Sequence, residues 1–220
     1  MKLVVVIPAY NEEKTINSVI KGLKSKGYKN IIVVDDGSKD KTYEIAKKNK
    51  VKVYRHIINR GLGGALNTGI TAALSEGADI IVTFDADGQH DSKDIQRLVK
   101  EIRKGYDVCI GNRINKDMPF IRRLGNRILD LITYFLFGIY VNDTQSGLRA
   151  FSRKAVSMLN IKTNKMEVSS EIIYELKRNN LKLAEIPIKT IYTEYSMSKG
   201  NVNIFNAFKI VFKLILRRIM

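Results

Sequence analysis

Two acidic side chains separated by one residue, Asp85 and Asp87, lie in the segment Asp85-Ala-Asp-Gly-Gln-His90, with Gln89 two positions further on. On an extended segment that spacing lets the three side chains share one side. Oxygen donors so arranged suit a hard cation, Mg²⁺ or Mn²⁺, which needs only one or two carboxylates when substrate phosphates complete its shell. Asp-x-Asp alone is common, and two solvated loop carboxylates would look the same. Position adds weight. The pair follows the apolar run Ile80 to Phe84, and two further acidic groups, Glu12 in Pro8-Ala-Tyr-Asn-Glu12 and the pair Asp35-Asp36, also follow apolar runs. Asp35 or Asp36 would accept from the N–H of a base or from ribose hydroxyls. The glycine run Asn59-Arg-Gly-Leu-Gly-Gly64 reads either as backbone that a nucleotide approaches closely or as a simple tight turn.

The elements that must position these groups alternate in the first half of the chain. β-Branched runs at Leu3 to Ile7, Ile31 to Val34, Val51 to Tyr54, Ile80 to Phe84 and Val108 to Ile110 predict strands. Apolar residues at three- and four-residue spacing predict helices over Thr15 to Leu23, Lys41 to Lys48, Ala65 to Leu74 and Ile95 to Ile102, with Asn11, Ser38 and Ser92 as N-caps. Such alternation implies an α/β fold, a mostly parallel sheet covered on both faces, with its chemistry at the carboxyl edge. Beyond Gly111-Asn-Arg113 the character changes. A basic stretch with Arg122, Arg123 and Arg127 leads into the apolar Ile128 to Val141, too short to span a bilayer, and a polar turn, Asn142 to Gly147, follows. A helix around Val168 to Leu176 and an alternating strand over Leu181 to Ile191 come next. Ile204, Phe208, Val211, Ile215 and Ile219 form one stripe of a final helix, with Lys209, Lys213 and Arg217 on another face.

Composition bounds the rest. The 220 residues are 45% hydrophobic and 27% charged, which excludes collagen-like and wholly disordered chains. Lone Cys109 cannot form an intrachain disulfide and fits a reducing compartment, and the N-terminus reads as a first strand rather than a secretion signal, so the active surface is expected on the cytoplasmic side. The net charge of +16 predicts attraction to phosphates. Residues 1–110 carry 19 basic and 14 acidic side chains and residues 111–220 carry 19 and 8, so the excess sits in the second half. Nucleic acid is disfavoured as a partner: the sequence has no helix-turn-helix, zinc or RNA-binding signature, and the acidic strand ends would repel a phosphate backbone. A dinucleotide-dependent oxidoreductase is disfavoured because no Gly-x-Gly-x-x-Gly turn follows the first strand. His56 reads as a structural, hydrogen-bonded histidine; His90 reads as structural or as approaching an acceptor.

Six segments together resemble the family 2 glycosyltransferases of the GT-A fold, in the dolichyl-phosphate and polyprenyl-phosphate hexose synthase-like branch. They are Pro8-Ala-Tyr-Asn-Glu12, Val34-Asp-Asp-Gly-Ser38, Asn59-Arg-Gly-Leu-Gly-Gly-Ala65, Asp85-Ala-Asp-Gly-Gln-His90, Gly111-Asn-Arg113 and Asp143-Thr-Gln-Ser-Gly-Leu-Arg149, in the family's order and spacing. The resemblance implies a GT-A sheet over residues 1–200, with a nucleotide-binding half (1–112), an acceptor-binding half (113–200) and a membrane-surface helix over 201–220. It implies that Pro8, Tyr10, Glu12, Asp35 and Asp36, with Gly64, Asp85 and Ala86, hold a nucleoside-diphosphate sugar, and that Asp85, Asp87 and Gln89 hold Mg²⁺ or Mn²⁺. Arg113 and Arg122 would hold the phosphate of a lipid acceptor, with Asn126 and Arg149 beside them. Two departures stand out: Gly88 where the branch often has Leu, and no arginine before Ser198-Lys199, for which Lys199 is the substitute donor-binding cation.

The implied reaction is a single inverting displacement that moves a hexose from a donor of GDP-mannose or UDP-glucose type to a polyprenyl or dolichyl phosphate. Asp87, Arg113 and Arg122 carry the chemistry, and the protein lies peripherally at the membrane, with a membrane-protein partner left open. A lipid phosphate needs no strong base because its second pKa is near 6. The alternative acceptor, a sugar hydroxyl of a cell-surface glycan, would need one, and Asp143 and Glu167 are then the candidates.

Overall fold

The structure, a computed structural model, describes residues 1–113 and 120–191, the side chains of residues 120–122 excepted. In chain order the elements are β1 (Leu3–Ala9), α1 (Ile16–Ser25), β2 (Ile31–Asp35), α2 (Thr42–Lys48), β3 (Lys52–Arg55), α3 (Leu62–Ser75), β4 (Ile80–Thr83), α4 (Asp94–Arg103), β5 (Val108–Arg113), α5 (Phe120–Phe137), β6 (Arg149–Ser152), α6 (Arg153–Met158), α7 (Val168–Arg178) and β7 (Leu183–Ile188). The strands form one sheet in the order β3-β2-β1-β4-β6-β5-β7. All pairs are parallel except those of β6, which runs antiparallel to β4 and β5.

Alternation along the central strands feeds two separate cores. Val5 and Ile7 of β1 join Ile16, Val19, Ile20 and Leu23 of α1 and Ile95, Leu98, Val99 and Ile102 of α4 on one face. Val4 and Val6 pack on the other face with Ala65, Leu66, Ile70 and Ala73 of α3 and Val168, Ile172, Ile173 and Leu176 of α7. Strands buried on both sides read as unbroken apolar runs, which is why β1, β2 and β4 stand out in the sequence.

Several boundaries differ from expectation. Helices α1, α2 and α4 begin after Thr15, Lys41 and Lys93, none of which caps with its side chain. Asn11 and Ser38 instead tie two strand ends together: Ser38 Oγ accepts the Asn11 N–H at 2.9 Å and Asn11 Oδ1 accepts the Lys39 N–H at 2.9 Å. Ser92 donates to the Gly22 carbonyl rather than capping. Helix α3 starts at Leu62, before the predicted Ala65, because Asn164 O accepts the N–H groups of Gly63 and Gly64 and so satisfies its first turn. The predicted final helix lies outside the described residues.

Candidate active site

The ends of β1 and β4 and the segment leading into β6 enclose a cleft of about 270 Å³. Pro8, Tyr10, Glu12, Asp85, Ala86, Asp87, Gln89, Arg113 and Arg149 border it, so nine of the residues singled out in the sequence meet there. Asp85 is the best-fixed of them. His90 Nε2 lies 3.3 Å from its Oδ2, and a Cβ on Gly147 would fall on the carboxylate, so only glycine permits this approach. Burial alone would raise the Asp85 pKa, but His90, Arg113 and Arg149 outweigh it and hold the carboxyl below its ordinary value. Asp87 differs: burial first and then the Asp85 charge push it up to about 6, although its Oδ1 accepts the Gln89 N–H at 2.9 Å. Among the described residues no three His, Cys, Asp or Glu side chains assemble into a closed metal cage. Two crowded carboxylates and an amide oxygen suit a hard cation that takes the rest of its shell from substrate.

His90 does not approach an acceptor. Its side chain is 1% exposed, edge-on to Phe84, and it stands behind Asp85. The loop is anchored there by a bridge between His90 and Thr190 and by Gln89 O, which accepts the Ile191 N–H. Gly88 occupies a turn with φ of 76°.

The structure does not bring Asp35, Asp36 or Gly64 into the cleft. Asp36 Oδ1 meets His56 Nδ1 at 2.6 Å and accepts the Arg60 N–H, while Oδ2 accepts the Gly61 N–H at 2.7 Å, so this carboxylate organises the loop after β3. Asp35 is fully buried; Oδ1 accepts the Ser38 N–H and Oδ2 lies 3.1 Å from Arg55 Nε. The glycine run admits the protein's own backbone. A Cβ on Gly63 would collide with Thr163 O, and one on Gly64 would press on Arg60. The segment over it is tied down by Glu171, which accepts the N–H groups of Lys162 and Thr163 and the Thr163 hydroxyl.

A second cavity, about 600 Å³, lies on the other side of Arg113 and is bordered by Asn112, Arg123, Asn126, Arg127, Asp130, Leu131, Tyr140, Asn142 and Asp143. Arg113 borders both spaces. Its Nε and Nη2 each donate to Asp143 at 2.7 Å, a bidentate pair in which both side chains are 7% exposed. Asp143 is therefore committed to Arg113 and is not a free base, and Glu167 is buried at the start of α7. Arg149, expected beside the acceptor, borders the cleft instead, because the antiparallel β6 sets it opposite Thr83 at the end of β4. Burial lowers its pKa to about 10. The Arg122 side chain and Lys199 lie outside the described residues.

The sequence reading missed Leu62, Leu66, Thr83, Gln145, Met166 and Ser169 in the cleft, and Asp130, Tyr140 and Asn142 in the cavity. Gln145 was legible, within the motif that starts at Asp143. Leu62 lies inside the glycine run and Asn142 opens the polar turn after α5, whereas the others sit in segments that carry no local signal of a site.

A seven-stranded sheet with a single antiparallel strand and an Asp-x-Asp segment closing its central strand is the architecture of the GT-A glycosyltransferases. It superposes on the crystal structure of glucosyl-3-phosphoglycerate synthase from Mycobacterium tuberculosis solved with Mg²⁺ and uridine diphosphate, with a TM-score of 0.77 at 20% identity over 99% of this chain and 79% of that one. Residues 4–159 match the model of glycosyl transferase family 2, and the chain belongs to that family. It is 55% identical to an uncharacterized protein of Methanocaldococcus jannaschii over 99% of this chain and 93% of that protein. It is also 44% identical to the UDP-N-acetylglucosamine–dolichyl-phosphate N-acetylglucosaminyltransferase of Methanococcus voltae (96% and 94%). Identity to the polyprenol monophosphomannose synthase of Mycolicibacterium smegmatis is 26% (90% and 80%). The protein is a family 2 glycosyltransferase.

Proposed function

We propose that the protein moves a sugar from a nucleoside diphosphate to a polyprenyl or dolichyl phosphate, inverting the anomeric carbon. The observation that carries this reading is the pairing of an acidic cleft with an arginine-lined cavity, joined at Arg113. The cleft takes the donor, with Asp85, Asp87 and Gln89 as the groups that would hold Mg²⁺ or Mn²⁺. Such a cation supplies positive charge to the leaving diphosphate. Arg113, Arg123 and Arg127 suit a phosphate acceptor. One acceptor phosphate oxygen forms a bond to the anomeric carbon as the bond from that carbon to the diphosphate oxygen breaks, and the electron pair departs with the nucleoside diphosphate. A phosphate dianion needs no general base, which agrees with Asp143 being spent on Arg113.

The acceptor's chain calls for a membrane. Leu124, Ile128, Leu131 and Phe135 are exposed along one face of α5, beside exposed Arg123 and Arg127. Apolar and basic groups on one surface helix favour the interface of an anionic bilayer. No helix among the described residues is long and apolar enough to cross a membrane. The reading is therefore of a peripheral enzyme on the cytoplasmic face, with the basic amphipathic segment 201–220 as a second contact.

The test is transfer of labelled sugar to a short polyprenyl phosphate, with divalent cation and with chelator. UDP-N-acetylglucosamine, the donor named for the Methanococcus voltae relative, comes first, then GDP-mannose and UDP-glucose. Lipid-soluble label that disappears with chelator is the expected result. Transfer only to a glycan hydroxyl would replace the acceptor, and no donor binding would overturn the reading.

A further inference from the structure

One carboxyl in the arginine-lined cavity has no part in the transfer described above. Asp130 lies on α5 four residues after Asn126 and is 6% exposed. Its Oδ1 accepts both the N–H (2.9 Å) and the hydroxyl (2.6 Å) of Thr144. Oδ2 takes no hydrogen bond among the described residues and is not one of the atoms sealed in the interior, so it is left to the cavity. The charged groups around Asp130 are Arg113 from β5, Asp143 from the loop before β6, and Arg123 and Arg127 from α5 itself. Helix α7 reaches α5 through Ser170, which meets Thr133, while its Glu171 and Glu175 accept from backbone N–H groups of residues 160–163. Glu185 of β7 is held by Asn142.

A carboxylate in the space that receives a phosphate is unfavourable unless something offsets the like charges. We propose that Asp130 shares a proton with the acceptor phosphate, so that a phosphate monoester binds above neutral pH with uptake of a proton at Asp130 Oδ2. This rests on the lipid-phosphate reading of the cavity. Protonation turns a repelling oxygen into an O–H donor to a phosphate oxygen, while Thr144 continues to hold Oδ1. Burial, then the neighbouring Asp143 charge, push Asp130 up to about 6. A phosphate monoester loses its second proton near the same value, about 6, so the two groups are matched for sharing. Below neutrality the proton arrives on the ligand as its monoanion; above, it comes from solvent. After transfer the product is a diester with one negative charge fewer, and the proton on Asp130 returns to solvent as that charge is lost.

The experiment is calorimetric titration of the full chain with farnesyl phosphate between pH 7 and 8.5, in two buffers of different ionisation heat. The wild-type protein, Asp130→Asn and Thr144→Val are compared. Asparagine keeps an oxygen for Thr144 but cannot take the proton. For the wild type, Kd rises by up to about tenfold per pH unit, the limit for one linked proton, and the heat depends on the buffer. For Asp130→Asn, Kd stays within about twofold across the range and the buffer dependence disappears. Thr144→Val removes a bond that lowers the Asp130 pKa, so its Kd starts to rise at a higher pH. A wild-type Kd that is flat with pH, or a slope that survives in Asp130→Asn, overturns the inference and leaves the lipid-phosphate reading intact. Absence of farnesyl phosphate binding at every pH overturns both.

Discussion

The acidic cleft proposed for the donor and the arginine-lined cavity proposed for the acceptor share Arg113 but are built in opposite ways. The cleft is made of strand ends, and its central carboxylate is fixed from behind: His90 is buried against Phe84, Gly147 leaves room for Asp85, and Arg149 is almost wholly buried beside it. The cavity is made of one side of a helix and a loop, held together by Asp130 with Thr144 and by Asp143 with Arg113, while the adjoining face of that helix, Leu124 to Phe135, is exposed apolar surface with Leu131 at the border. On the proposed reading a nucleoside diphosphate would arrive from water and gain from a rigid, preorganised site. A lipid phosphate would come from an interface, and α5 would meet it with a basic face on the cavity and an adjoining apolar face.

Asp87→Asn is expected to break that comparison most sharply. Losing one of two carboxylates that would hold the cation should lower sugar transfer by about a thousandfold or more, several kcal/mol of charge stabilisation, with farnesyl phosphate affinity unchanged within about twofold. A parallel fall in both would mean that the two spaces act as one. Gly147→Ala comes next. The new Cβ displaces Asp85, and a shift on the order of 1 Å lowers kcat/KM for the donor about a hundredfold in steady-state assays while leaving acceptor affinity in place.

On the cavity side, Ile128→Glu with Phe135→Glu should reduce partition onto anionic vesicles about tenfold or more, from the roughly 1.5–3 kcal/mol carried by each buried side chain. Transfer to a short, water-soluble polyprenyl phosphate should persist, and its loss would show that the apolar face belongs to the site itself. The smallest effect is thermal. The Asp130 pKa lies above its unfolded value, so native stability declines as pH rises from about 4 to about 6 and stays reduced above that. Asp130→Asn should then be more stable than wild type by on the order of 1–2 kcal/mol at pH 7 to 8, measured by denaturant melts, with the ionisation contribution gone below pH 4.

Legibility divides along the same line. Pro8, Tyr10, Glu12, Asp85, Asp87 and Gln89 could be read because each lies at or just past the end of an apolar strand, and the carboxyl edge of a parallel sheet gathers what stands there. Asp35 and Asp36 obey that rule too, yet their hydrogen bonds turn inward, to Ser38, His56, Arg60 and Gly61, and hold the neighbouring loop. The glycine run was ambiguous for a physical reason: a glycine records only that something comes close, and here it is the backbone of residues 163–164, a hundred positions away. Asp130 was invisible because an acidic residue inside a basic, apolar helix gives no hint that Thr144 and three arginines will surround it.

By itself the sequence determined the layered α/β architecture, through apolar runs doubly buried in the sheet and helix faces of 3.6-residue period, and it determined the acidic cluster at the sheet edge, because strand ends are local features. Only the tertiary structure decided that Arg113 belongs to both spaces, that Arg149 lies beside Asp85, that Asp143 is spent on an ion pair, and that a titratable carboxyl stands in the arginine-lined cavity. Each of those depends on the antiparallel insertion of β6 between β4 and β5 and on the packing of α5 beside it, pairings between distant segments that no local pattern encodes.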